Sequence, residues 1–288
     1  MSKIKIVSDS TADIPKYLQE ELNITVLPLT IISGDKEYAD GVDITTEEFY
    51  EMLESSDKLP STSRTTPRLF FETCEKIMAE GYTDLIYVCL NSKGSSTYQG
   101  AVLESEDFYD EHPEAKGKFN IHVIDSLTYS MVYGAAAVDA ARAAKEGKSI
   151  DEVLSIIRDW LDNAKVLAVP MTLKYAKKSG RISAASAFVG EALGLKPVIT
   201  FVDGESQVIG KIRGEKKVIP ELIKLINSNR AEGTPYYVAG GNNPELTEKL
   251  RDACREEFGH NEELTFLLGG IITINIGPNT IGIIYRGK

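Results

Sequence analysis

The sequence predicts an α/β protein of two domains: a parallel-sheet α/β domain over residues 1–163 and an α+β domain with a mixed sheet over 164–288. Two observations carry this reading. Up to Asn163, short apolar runs alternate with segments of helical period, the pattern of a parallel sheet with crossover helices. After Asn163 the order loosens into a hairpin signal, separated helices and a long uncharged terminus. The 288 residues, 42% hydrophobic and 26% charged, suffice for two cores.

The elements follow in order. Residues 4–7 read as a first strand, and Pro15 is pre-set to open a short helix over 17–22. A second strand over 24–29 leads into 30–43, whose Gly and Asp residues mark a hairpin excursion. Thr45 to Glu48 form an acidic first helical turn. Pro67 starts a helix running to 79, and the apolar run 85–90 is a buried parallel strand. A helix follows from Thr97, and a strand over 122–124 ends at Asp125-Ser126. Helices over 132–145 and 150–163 are separated by Gly147-Lys148-Ser149.

Beyond Asn163, residues 166–171 are strand-like, and 174–178 and 184–193 are helical pieces. Strands over 198–202 and 207–212 flank Asp203-Gly204, a hairpin with a loop longer than two residues. A helix over 218–227, a strand over 236–239 and a helix over 244–257 come next. Residues 264–285 carry no charge but are broken by Gly269, Gly270, Gly277, Pro278 and Gly282. Two buried strands around an irregular loop fit that segment better than a membrane span. Ile271, Ile272, Ile274 and Ile276 would form either apolar walls of a site or plain core strand.

Charge and composition exclude several functions. A net charge of −11 disfavours nucleic acid and anionic membrane surfaces. Three scattered cysteines and three distant histidines provide no metal spacing, no disulfide framework and little material for a histidine relay. The apolar run at the N-terminus ends at Val7, too short for a signal peptide, and a reducing cytoplasm fits. Gly147-Lys148-Ser149 resembles the end of a phosphate loop, but position 142 is Arg142 and the tripeptide follows a helix. No dinucleotide fingerprint follows the first strand, so no nucleotide cofactor is expected.

Hydroxyl and carboxylate side chains crowd four positions: Asp9-Ser10-Thr11, Ser61 to Thr66, Ser92 to Thr97, and Asp125-Ser126. Each alone reads as capping chemistry. Together, at the carboxyl ends of parallel strands, they suggest one anion site. Hydroxyls without an adjacent base suit hydrogen bonding to a carboxylate better than nucleophilic attack. The alternative of another class is a small-molecule serine hydrolase using Ser95 or Ser96, with Lys93 or His122 as base.

Several motifs, in order, resemble those of the DegV family. They are Ser8 to Pro15 (SDSTADIP), Thr62-Ser63, Ser95 with Thr97-Tyr98-Gln99, Val123 to Ser126, Gly180-Arg181-Ile182, Leu195-Lys196-Pro197, and Gly277-Pro278 with Gly282. The resemblance implies a non-catalytic protein holding a long-chain fatty acid between two domains. In members of the FakB type it further implies presentation of the carboxylate to a separate fatty acid kinase. Thr62 and Ser95 match the family's carboxylate-binding hydroxyls, with Ser96 and Asn275 as supporting contacts. Arg181 matches an arginine implicated in kinase engagement. Two departures stand out. Arg64 and Thr65 replace a usual glutamine and proline, and Asn275 stands where FakB-type members usually carry histidine. Arg64 then either supplies the missing positive charge or faces solvent.

Overall fold

The computed structural model describes residues 3–56, 58–189 and 193–288. In chain order the elements are β1 (Ile4–Asp9), α1 (Lys16–Glu21), β2 (Thr25–Leu27), β3 (Thr30–Ser33), β4 (Lys36–Ala39), α2 (Thr46–Ser55), β5 (Ser61–Ser63), α3 (Pro67–Ala79), β6 (Asp84–Cys89), α4 (Thr97–Glu111), β7 (Asn120–Asp125), α5 (Met131–Lys145) and α6 (Ile150–Asn163). They continue with β8 (Ala164–Pro170), α7 (Lys174–Ser179), α8 (Ser183–Ala187), β9 (Leu195–Val202), β10 (Glu205–Arg213), α9 (Val218–Asn229), β11 (Tyr236–Gly240), α10 (Pro244–Phe258), β12 (Leu264–Leu267), α11 (Gly270–Ile276) and β13 (Thr280–Arg286). The chain divides into two compact units, one of residues 1–43 and 62–162, the other of 44–61 and 163–288.

The first unit is built on a parallel sheet in the order β2-β1-β6-β7. Strand β6 is buried at all six positions, as its unbroken apolar run requires. On one face Val7, Leu85, Tyr87 and Cys89 pack with Phe70, Cys74 and Ile77 of α3 and Ala101 and Phe108 of α4. These strand positions alternate, so the intervening Ile6, Ile86 and Val88 point to the other face. Helix α5 packs along β1. It is alanine-rich and almost wholly buried, and Trp160 of α6 fixes its start by donating Nε1–H to Val132 O at 2.7 Å. The excursion over 30–43 forms the expected antiparallel pair β3-β4. A third strand, β5, joins β3 on its other side. Three polar residues, Ser-Thr-Ser, give β5 no apolar alternation by which to foresee it.

The second unit carries a six-stranded mixed sheet, β10-β9-β8-β13-β11-β12, in which only β11 and β12 run parallel. Its core gathers Leu167, Val169, Val198, Leu222, Val238, Leu250 and Ile283. Helix α2 belongs to this unit, whereas the sequence reading assigns it to 1–163. The cause is local: buried Tyr50 donates its hydroxyl to Leu268 O at 3.1 Å and lies 2.9 Å from Thr273 Oγ1. The Thr45–Glu48 capping box closes the start of α2, with Thr45 N–H donating to Glu48 Oε2 at 2.8 Å.

Two local expectations need correction. The β9–β10 loop has two residues, not more, since Val202 pairs directly with Glu205. Asp203 and Gly204 both take positive φ, 48° and 78°, which is the primed turn that matches strand twist. The irregular loop expected inside 264–285 is the helix α11. Its isoleucines are weak helix formers, but Ile271, Ile274 and Ile276 are all buried, and packing overrides propensity. Gly269 and Gly277 bound it, Gly277 at φ 106°. The helical piece expected over 184–193 is shorter in the structure, as α8, and residues 190–192 lie outside the described ones.

One glycine makes a test of the first unit. A Cβ on Gly134 of α5 would lie 2.3 Å from the carbonyl oxygen of Ala12. Backbone meets backbone there, so nothing can swing away. Gly134→Ala should destabilise the protein by about 1–3 kcal/mol, read as a lowered urea midpoint. An unchanged midpoint contradicts this packing.

Candidate functional site: the carboxyl ends of β1 and β6

From β1 the chain crosses outward to β2, and the next strand of the sheet, β6, lies on the other side of β1. The loops leaving β1 and β6 therefore diverge. Such a switch point leaves a crevice beyond the strand ends. The loop after β1 starts at Asp9, and the loop after β6 runs over residues 90–96.

Asp9 is fully buried. Its Oδ1 accepts the Thr11 N–H at 3.1 Å, the Tyr133 hydroxyl at 2.6 Å and the Thr11 hydroxyl. Its Oδ2 accepts Leu90 N–H at 3.1 Å, from the neighbouring loop. Burial pushes its pKa up and the four donors oppose that rise. Asp125, at the end of β7, holds the same loop from the other side by accepting Ser92 N–H at 3.1 Å. The carboxylates at two strand ends are thus scaffold. They lash the β6 loop in place.

The fixed loop delivers Ser95 to the first turn of α4. Asn91 anchors it, accepting Ser95 N–H on its backbone oxygen and Lys93 N–H on Oδ1. Ser95 Oγ accepts Thr97 N–H at 3.2 Å and lies 2.9 Å from Thr97 Oγ1. Ser95 is half-buried and Ser96 is exposed, with no side-chain capping bond. Thr62 is half-buried on β5.

Arg64 is partly exposed, and its charge is paired. Its Nη1 pairs with Glu104 of α4, a carboxylate 5% exposed. The guanidinium lies against α4 at Gly100, where a Cβ would fall 2.3 Å from Nη1. Sequence reasoning missed Glu104 altogether. The only signal was a glycine inside a helix, which marks a close approach.

Two predicted residues belong to the second unit. Asn275 is half-buried on α11 and donates Nδ2–H to Ile271 O at 2.7 Å. Its backbone oxygen accepts the Ser179 hydroxyl at 3.3 Å. Ser179 Oγ also accepts Arg181 N–H at 3.4 Å, just after Gly180 closes α7 at φ 69°. Ser179 therefore couples the backbone of Asn275 to that of Arg181, whose side chain is exposed. Among the described residues no cluster of His, Cys, Asp or Glu could hold a metal. No described helix is long and apolar enough to cross a membrane.

Asp40 is a buried carboxylate that sequence reading did not single out. It is 7% exposed, and burial raises its pKa to about 6; Asp9 adds to the rise, while the Ser10 hydroxyl opposes it. A folded pKa above the unfolded value means the folded state binds the proton more tightly. Its contribution is then greatest below about pH 4 and is lost as pH rises through about 6. Asp40→Asn should remove that fall and stabilise the protein at pH 7 by up to about 3 kcal/mol. Urea unfolding at pH 4, 5, 6 and 7 reads the slope; equal pH dependence in both proteins rules it out.

The DegV family model matches residues 3–288. A DegV domain-containing protein of Caldanaerobacter subterraneus subsp. tengcongensis is 33% identical over 100% of both chains. Among solved structures, a DegV family protein from Thermus thermophilus described as fatty acid binding superposes with a TM-score of 0.87 at 28% identity, covering 99% of this chain and 100% of its own. A stearic acid-binding protein from Eubacterium ventriosum gives 0.86 at 25% identity, covering 99% and 98%. Together with the parallel and mixed sheets and the ordered motifs, this full-length match means that the chain belongs to the DegV family.

Proposed function

We propose that this protein binds a long-chain fatty acid and carries it without altering it. Thr62 and Ser95 hold the carboxylate, Ser96 and Asn275 support it, and the setting is the cytoplasm. The observation that carries the reading is the full-length likeness to two proteins described as binding fatty acids. The chemistry at the end of β6 supports it. Ser95 has a hydroxyl proton that can turn outward while its oxygen still caps α4. A carboxylate accepting hydroxyl protons at a helix start also gains from the helix dipole.

Of the two bases open to the hydrolase alternative, Lys93 and His122, the histidine is badly placed. His122 lies 3.2 Å from Asp84, which begins β6, whereas Ser95 lies beyond that strand's other end. Thr62→Ala and Ser95→Ala should each weaken binding by roughly one to two decades, for the loss of a hydrogen bond to a charged group. Ser95→Ala should also lower the melting temperature, since it removes the cap acceptor of α4; Thr62→Ala should not. Displacement of a fluorescent fatty acid measures the first effect and thermal melts the second. Unchanged affinity in both variants places the carboxylate elsewhere.

The finer proposal concerns a kinase partner. Arg181 would contact it, and Asn275 would make this chain a weak presenter. An amide cannot become cationic, and one of its N–H groups is already committed to Ile271. Arg64 cannot substitute, because its charge is paired with Glu104. Asn275→His should therefore raise acyl-phosphate formation by a fatty acid kinase. Equal rates for wild type and Asn275→His would refute the impairment.

A further inference from the structure

We infer that Glu104 is a positioning residue for the carboxylate site, acting through Arg64 on Thr62; this rests on the fatty-acid reading above. Three observations place it. Arg64 lies two residues beyond Thr62, at the exit of β5. Its guanidinium lies against α4, where Nη1 pairs with Glu104 and occupies the space that the missing side chain of Gly100 leaves. Gly100 and Glu104 are one helical turn apart on α4, so they present one face to the arginine. The start of that same helix is tied to Ser95, whose Oγ accepts Thr97 N–H at 3.2 Å. The ion pair therefore fastens the segment that follows one proposed carboxylate-binding hydroxyl, Thr62, to the helix whose first amide is bonded to the other, Ser95.

A second bond limits what the strand can do. Thr65 is buried, and its hydroxyl donates to Pro28 O at 3.2 Å, pinning the next residue to the β2–β3 connection. With Thr65 and Arg64 both fastened, the backbone leaving Thr62 has little freedom. Release of Arg64 frees the side that faces α4. Glu104 also sets the charge of the site. It pairs with the arginine, so that cation is not free to meet the incoming carboxylate.

The experiment measures stearate affinity by displacement of a fluorescent fatty acid, with melting temperature as a check on folding. The variants are Glu104→Gln, Thr62→Ala, the double variant, and Gly100→Ala. The last pushes Arg64 off α4 without removing a charge. Glu104→Gln and Gly100→Ala should each weaken wild-type binding about tenfold, and Glu104→Gln should weaken Thr62→Ala by less than about twofold, because the coupling runs through Thr62. A purely structural role would lower both backgrounds by the same factor, and that result overturns the inference. So does full affinity in folded Glu104→Gln and Gly100→Ala. Wild type that fails to bind stearate or any other long-chain acid overturns the fatty-acid reading itself, and the positioning role falls with it.

Discussion

The buried carboxylate of Asp9 is the constraint on which the first unit's loops depend. A charge without solvent persists only where donors surround it. Here the donors come from three places: the turn after β1, the loop after β6 and helix α5. Satisfying Asp9 therefore fixes all three at once. Asp125 repeats the device on the far side of β6. The loop over 90–96 is held from both sides, and this is what lets a half-buried serine occupy a defined place at the start of α4. The polar residues at the strand ends divide into two groups. The carboxylates build the frame, and the hydroxyl of Ser95 stands on it.

The second unit uses backbone and amide contacts instead. Ser179 joins α7 to α11, Tyr50 joins α2 to α11, and Asn242 donates to Glu54 of α2 at 2.9 Å. Helix α11 is the common partner of the first two. Its uncharged, isoleucine-rich sequence can be buried on several sides because no ionised group needs water.

The sequence showed the parallel sheet because β1 and β6 are apolar runs separated by helical segments. It showed the hairpin because Asp-Gly demands positive φ, although the loop length was misjudged. What was not legible shares one cause: it depends on contacts between residues distant in the chain. Strand β5 has no apolar pattern and exists because β3 offers an edge. Helix α11 looks like a strand until its burial is known. Arg64 looks like a free cation until Glu104, forty residues later, is seen beside it. The family motifs located Thr62 and Ser95 as candidates, but nothing local could reveal that Asp9 and Asp125 support one of them.

The paired hydroxyls of Ser95 and Thr97 bear on kinetics. Either can donate to the other across 2.9 Å, while the Thr97 amide holds the serine oxygen in place. An anion reaching Ser95 needs only a reversal of proton direction: Thr97 donates to Ser95, and Ser95 donates outward. Each bond in such a chain polarises the next. No heavy atom has to move, and the cap of α4 stays closed before, during and after the event. For a carboxylate held by Ser95, as proposed above, the response of this pair would be rotation of two O–H bonds, a picosecond-to-nanosecond motion. On the carrier reading proposed above, release of the charged end would cost no rearrangement of α4, and departure of the acid would be limited by withdrawal of its hydrocarbon tail.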